Sequence, residues 1–279
     1  TGANEHLTLP TSFLSAAKRI GFEVRRMDPD RPFFTPEDVE RALTPKTRVL
    51  ALSAVSYNGG YFADLRAIGE LCRARDLFFV VDACQAAGCV PLNAPELGVD
   101  VLATGAYKWL LSPYGSGLAY VSPRAMHEIE SQTPSYHSVR DFDWPTLELA
   151  PNAKAFDVPQ APAPLQTWPL ACSLEFICEV TVERVRAHAI TLADRLLEQL
   201  PVGIQPGSCL DDQRRSGILV LELPDPDTAA RLHHALMTRR IHLAHRGRHF
   251  RISPHLYNTF AEVDELAAVL RDELRQNRG

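Results

Sequence analysis

Apolar and polar residues follow two rhythms along this chain, and the rhythm switches repeatedly. Val49-Leu50-Ala51-Leu52-Ser53 and Leu77-Phe78-Phe79-Val80-Val81 are short continuous apolar runs, the pattern of strands buried on both faces. Between them, Leu65 to Arg75 carries its apolar residues at helical spacing, and Val99-Asp100-Val101-Leu102-Ala103 is a further buried run. Upstream, Ser12 to Ile20 reads as a helix that Gly21 ends before a strand Phe22-Glu23-Val24-Arg25-Arg26. Thr35-Pro36-Glu37-Asp38 supplies an N-cap, a first-turn proline and an acidic first turn for a helix running to Leu43. Buried strands alternating with helices predict an α/β fold with a mostly parallel sheet covered on both faces.

The second half reads differently. Pro134 to Pro169 is rich in proline and polar residues and is expected to be mostly irregular, a length of loop that usually carries function or disorder. A long helical pattern follows from about Leu170 to Leu200, with a break expected near Thr181. Then come a strand over Gly217 to Leu223, a helix from Asp227 to Arg239, a short strand at Phe250-Arg251-Ile252 and a last helix from Glu262. This order predicts a small C-terminal α+β domain over 181–279, after a larger domain over 1–180. No internal repeat is present.

Composition narrows the function classes. With 279 residues, 46% of them hydrophobic, the chain can bury a large core. A net charge of −5 and a pI near 6.1 speak against nucleic-acid or anionic-membrane partners. No apolar run approaches the roughly 20 residues that span a bilayer, and Thr1-Gly2-Ala3-Asn4-Glu5-His6 does not resemble a signal peptide. The six cysteines show no C-x-x-C spacing, which predicts reduced thiols in a cytoplasmic protein.

The candidate chemistry lies at strand ends. Ligands in parallel sheets bind beyond the carboxyl ends of the strands, where Ser56-Tyr57-Asn58-Gly59-Gly60 and Asp82 both fall. This makes Tyr57 a candidate cofactor contact and Asn58 a candidate substrate contact. Lys108 sits in Thr104-Gly105-Ala106-Tyr107-Lys108-Trp109, just after the third buried run, and Gln85 follows Asp82 by three residues. A strand-end carboxylate, a nearby amide and a lysine beyond the next strand are the parts a pyridoxal phosphate (PLP) site needs. The lysine forms a Schiff base, and the carboxylate partners the pyridinium nitrogen and keeps it protonated. Released by substrate, the lysine becomes the base that moves the Cα proton. Taken singly, Asp82 reads as an ordinary strand-end cap and Lys108 as a solvated loop residue; their joint placement favours the site.

Val80 to Gln85, taken with Lys108-Trp109-Leu110-Leu111-Ser112-Pro113-Tyr114-Gly115-Ser116-Gly117, resembles the core of the class-V aminotransferase-fold PLP enzymes. That family includes cysteine desulfurases, kynureninases, isopenicillin-N epimerase-like proteins and C–S lyases. The resemblance implies the type I fold of PLP-dependent transferases, a homodimer with each site at the two-fold interface, and an amino-acid substrate. It gives Gln85 to the ring hydroxyl oxygen or the lysine, and a hydroxyl from Thr104 to the phosphate. It also places Tyr107 where many relatives carry histidine. Phe250 to Thr259 resembles the segment whose arginine grips the substrate carboxylate, which makes Arg251 the substrate anchor.

Three departures from the family pattern bear on cofactor affinity. Relatives carry a preceding segment with a Gly-rich turn that holds the phosphate, and this chain begins beyond it. That implies a fragment, a trimmed sequence or a truncated homologue. Glu5-His6-Leu7 aligns with the residue that stacks on the PLP ring, with Leu7 or, one residue off in register, His6 in that place. Phe156 to Pro162 replaces a segment that usually ends in Gly-Thr; Gln160 is a possible substitute for the threonine, and Ala161 is not.

The chemistry expected is that of a PLP-dependent enzyme acting at the Cα of an amino acid, aminotransferase-type. A C–S or C–N lyase or epimerase of the same fold, or a non-catalytic binding or regulatory protein, is the alternative. Persulfide chemistry of the desulfurase kind is disfavoured, since no cysteine follows Cys209. His242, His245 and His249 have metal-like spacing but lie among arginines without an acidic or thiol partner, so no metal site is expected.

Overall fold

In the computed structural model of the chain, the described residues are 1–2, 5–27, 33–158 and 163–276. β1 (Val49–Ser53), β2 (Phe78–Asp82) and β3 (Val101–Gly105) run parallel, and β4 (Gly117–Val121) lies antiparallel on β3, in the order β1-β2-β3-β4. The register sets Ser53 beside Asp82 and Asp82 beside Ala103, so the carboxyl ends of three strands finish level. α1 (Thr8–Ile20) and α2 (Pro36–Ala42) precede the sheet, and α3 (Leu65–Ala74) joins β1 to β2. The Thr35–Asp38 capping box forms as the sequence predicts, and Gly21 ends α1 in the left-handed conformation.

β4 leads into α4 (Pro123–Glu128), then into a hairpin of β5 (Val139–Asp143) and β6 (Thr146–Leu149), and a 3-10 turn over 153–156. α5 (Pro164–Val180) and α6 (Val182–Leu197) meet at Thr181, which takes φ +71° and whose side chain accepts the Arg184 N–H. A second, antiparallel sheet is ordered β7-β8-β10-β9: β7 (Gln205–Pro206), β8 (Leu219–Glu222), β9 (Ala244–Arg246) and β10 (His249–Ile252). It carries α7 (Pro226–Thr238) and α8 (Phe260–Gln276).

Two large apolar cores and a small third cluster of Ala106, Leu110 and Leu170 form among the described residues. One large core gathers Leu52, Ile68, Phe79 and Val81 around the large sheet; the other gathers Leu192, Leu221, Leu236, Phe250 and Leu270. α6 serves both, with Val185 in the first core and Leu192 and Leu196 in the second. The turn after β1 is pinned by the segment leading into β8: the Gly60 carbonyl accepts from Ser216 N (3.1 Å) and Oγ (2.7 Å), and Ser208 Oγ donates to the Gly59 carbonyl (2.7 Å). Gly60 sits at φ +66° with a Cβ position that would run into the Ile218 carbonyl, so the contact requires glycine. Arg214 pairs with Asp64, the N-cap of α3, across the same junction.

Two expectations are corrected. Residues 22–26 form no ladder among the described residues; the backbone partner of this stretch is Thr1, whose ammonium donates to the Arg25 carbonyl (2.8 Å) and whose carbonyl accepts from Met27 N (2.9 Å). An extended apolar pattern cannot pair without a neighbouring strand. The stretch from Pro134 to Pro169 is more regular than its composition suggests, because it holds the β5–β6 hairpin and the start of α5. Leu50, Leu52, Phe79 and Val81 are buried on one face of the sheet; on the other Ala51 and Ser53 are buried, while Val49 and Ala103 are exposed. α1 buries none of its residues and stands off β1 across a cleft of about 1270 Å³.

Candidate functional site

The strand ends carry the first half of the site. Asp82 is the last residue of β2, and its Oδ1 accepts the Cys84 N–H at 2.8 Å, closing a tight turn. The Cys84 thiol accepts from Gly105 N (3.3 Å) at the end of β3, which ties the Asp82 turn to the strand that leads to Lys108. Gln85 follows in the same turn, and its Oε1 accepts the Trp109 indole N–H at 3.1 Å. The residue beside the lysine thus holds the amide, whose NH₂ remains available. Gly88, at φ +88°, lets this turn pass close to Trp109: a Cβ there would stand 2.6 Å from the Trp109 carbonyl.

Lys108 is half-buried, and its ammonium lies 5.8 Å from the Tyr107 ring centroid. Among the described residues it has no ion-pair or hydrogen-bond partner. Tyr107 stacks on Tyr114 with centroids 4.6 Å apart. Thr104 is buried, and its hydroxyl donates to the Gly105 (3.1 Å) and Ala83 (3.4 Å) carbonyls.

Glu5 joins this half from the start of the chain, a contact that no local pattern around it predicts. Its carboxylate accepts the Ser53 N–H at 3.0 Å and the Ser53 hydroxyl, and Ser53 is the register neighbour of Asp82. Burial pushes the Glu5 carboxyl above its usual range, and the nearby Asp82 charge adds to the push. His6 follows, with its ring edge-on to Tyr57 at 5.2 Å and Nδ1 3.0 Å from Thr8 Oγ1. Leu7 is 70% exposed at the N-cap of α1, so of the two stacking candidates His6 is the one that meets the site loop.

The second sheet supplies the second half. Arg251 Nη1 donates to the Tyr57 carbonyl at 3.0 Å, while its buried Nε has no partner. Arg246 donates to the Tyr57 hydroxyl and lays its guanidinium 5.2 Å from the ring centroid. In the β9–β10 register Arg251 pairs with Ala244 and His249 with Arg246, so both arginines project from one face. Burial, then the Arg246 charge, lowers the Arg251 pKa from its usual value. Asn58 is exposed on the turn beside Tyr57 and makes no side-chain hydrogen bond among the described residues.

His255 couples the halves and was absent from the sequence-based candidates. Its Nδ1 accepts the Leu256 N–H (2.8 Å), so the proton sits on Nε2, which donates to the Trp109 carbonyl at 3.1 Å. The ring stacks on Trp109 at 5.1 Å and on Tyr257 at 5.2 Å, and burial lowers its pKa. Burial also pushes the Cys72 and Cys89 thiols up to about 12, which leaves them protonated and inert. The Gln160 and Ala161 expectation lies outside the described residues.

The sequence profile of the family described as aminotransferase class-V matches residues 1–266. The chain belongs to the class-V aminotransferase family. Among relatives of this class-V chain, an uncharacterised aminotransferase, YcbU of Bacillus subtilis, is 26% identical over 238 residues, covering 83% of this chain and 62% of that protein. The cysteine desulfurase IscS of Tolumonas auensis is 33% identical over 184 residues, covering 64% of this chain and 41% of that protein. The chain therefore spans between two-fifths and two-thirds of the length of these curated relatives. Among solved structures, the cysteine desulfurase CsdA of Escherichia coli superposes with a TM-score of 0.85 at 19% identity, covering 99% of this chain and 71% of that one. The cystine C–S lyase C-DES, solved with its product cysteine persulfide, gives 0.83 at 23% identity, covering 96% and 73%. These likenesses establish the fold: the α/β, type I fold of PLP-dependent transferases. Among the described residues no helix is long and apolar enough to cross a membrane.

Proposed function

We propose that this chain is the core of a PLP-dependent enzyme acting at the Cα of an amino acid, with aminotransferase-type chemistry. The observation that carries the reading is the convergence of Asp82, Gln85 and Lys108 at level strand ends, with Arg251 brought over Tyr57 from the other domain. The residues fit the cofactor. Lys108 has no competing partner among the described residues, the Gln85 NH₂ is uncommitted, and the buried Arg251 Nε waits for an acceptor.

In this reading Lys108 would hold the cofactor and serve as the base at Cα, Asp82 would partner its ring nitrogen, Gln85 and Tyr107 would donate hydrogen bonds to it, and His6 and Tyr57 would contact its ring. The bound group supplies an electron sink for the pair left at Cα. Arg251 orients the substrate through its α-carboxylate, Asn58 lies at the same mouth, and the Trp109–His255 contact keeps this region dry. Thr104 reaches a phosphate only if its single hydroxyl proton turns away from the Gly105 and Ala83 carbonyls. Transamination, elimination and epimerisation share the proton removal at Cα, and the lyase reading stands second, supported by desulfurase relatives and a C–S lyase neighbour.

We read the chain as two domains, 1–180 and 181–279, working as a homodimer. The exposed Tyr136, Phe142, Trp144 and Leu147 on and beside the β5–β6 hairpin offer an apolar surface for a second copy. Unpaired cysteines throughout suit a cytoplasmic protein. The test is full-length protein loaded with PLP and given a panel of amino acids. Keto acid release with conversion of the cofactor to its amine form is expected; sulfide or ammonia moves the assignment to a lyase. A bound cofactor with no turnover of any panel member contradicts the enzyme reading.

A further inference from the structure

We infer that the substrate carries a second anionic group on its side chain, and that Arg246 is the residue that receives it. The inference rests on the reading of Arg251 as the α-carboxylate anchor and extends it to substrate class. Arg246 and Arg251 project from one face of β9–β10 and are held at opposite ends of one residue, Tyr57: Arg251 at its carbonyl, Arg246 at its hydroxyl. The length of a tyrosine side chain separates the two anchoring points. Two guanidiniums held at separate points of one residue, each with free N–H donors, match two anionic groups carried by one small molecule.

Charge supports the same conclusion. Neither arginine has a carboxylate partner among the described residues, and burial, then the Arg246 charge, lowers the Arg251 pKa with no acid beside it to offset them. Arg248, two residues from Arg246 in the same hairpin, is paired with Glu222 of β8, whereas Arg246 turns to Tyr57. Each guanidinium has five N–H donors, and Tyr57 takes one from each. The buried Arg251 Nε is a donor already removed from water and unsatisfied, which favours an acceptor arriving with the ligand. Arg246 lies at the exposed rim, where a substrate side chain would end. The substrate class is an acidic amino acid, one whose side chain ends in a carboxylate or comparable anion.

The test compares isosteres that differ only in charge. Full-length protein loaded with PLP is titrated with L-glutamate, L-glutamine, L-aspartate and L-asparagine, reading the visible band of the cofactor. In parallel, calorimetry on the same protein compares glutarate with butyrate, a measurement that needs no chemistry at the cofactor. The acids should bind about tenfold or more tightly than the amides, the modest end of a charge-assisted hydrogen bond, and glutarate should outbind butyrate similarly. Arg246→Gln should erase both preferences while leaving glutamine and butyrate affinity unchanged, whereas Arg251→Gln should weaken every ligand. Arg248→Gln should change nothing. Equal binding of glutamate and glutamine, or a preference that survives Arg246→Gln, overturns the inference. If no cofactor band appears the PLP reading fails by itself, and the glutarate comparison still decides the two-arginine site.

Discussion

Asp82 and Lys108 are placed by the strands that carry them, whereas Arg246 and Arg251 reach Tyr57 from 189 and 194 residues along the chain. Asp82 ends β2 and Lys108 lies three residues beyond the end of the adjacent parallel β3, and the register leaves Asp82 little choice of position: Val81 and Phe79 are wholly buried, so it falls where β2 stops. The second pair depends on a domain junction built from serine–glycine hydrogen bonds, the Arg214–Asp64 pair and the His255–Trp109 contact. A site divided in this way has its chemistry in the rigid half and its selectivity in the half that rests on packing between domains. Substitutions in the two halves should therefore fail differently.

The largest effect is expected in the strand-end half. Asp82→Asn keeps an oxygen for the Cys84 N–H, so the turn should survive. It removes the charge that stabilises the protonated ring, and kcat should fall about 10²–10³-fold, a loss typical of removing an electrostatic contact to the reacting group. Cofactor affinity should change far less. Steady-state kinetics alongside a cofactor titration checks this; a loss of binding equal to the loss of rate would make Asp82 an anchor instead.

A smaller, pH-dependent effect is expected at the junction. His255 is neutral in the fold and its pKa is lowered by burial from the ordinary 6.5. Its contribution to stability is therefore complete above pH 6.5 and is lost as the pH falls through the lowered value, because the unfolded chain takes up the proton first. His255→Phe keeps the stacking and removes both the bond to the Trp109 carbonyl and the acceptor for the Leu256 N–H, at a cost of about 1 kcal/mol for each at pH 7.5. The difference in Tm between the two proteins should narrow toward pH 5. A constant difference across that range would mean that the hydrogen bond does not depend on the neutral ring.

The same division explains what the sequence makes legible. β1, β2, β3, the Thr35 cap and the break at Thr181 follow from local patterning, and Asp82 and Lys108 follow from where those strands must end. Glu5 and His255 do not, because nothing near either residue in the chain indicates that it will meet Ser53 or Trp109. Arg246 was overlooked for a different reason: in His242 to His249 the histidines suggest a metal, yet His245 turns to the Gly247 carbonyl and the His233 ring, and the arginine takes the site position. The segment 22–26 has a strand's composition without a strand's neighbour, and β5–β6 has a neighbour despite a polar composition. Pairing across the chain decided both.

The central claim is that Lys108 carries the cofactor, and within residues 1–279 its rivals are Lys18, Lys46 and Lys154. Full-length protein incubated with PLP, reduced with borohydride, digested and mapped by mass spectrometry should carry one stoichiometric pyridoxyl group, on the peptide containing Lys108. A stoichiometric adduct on another lysine, or none on Lys108, would contradict the account.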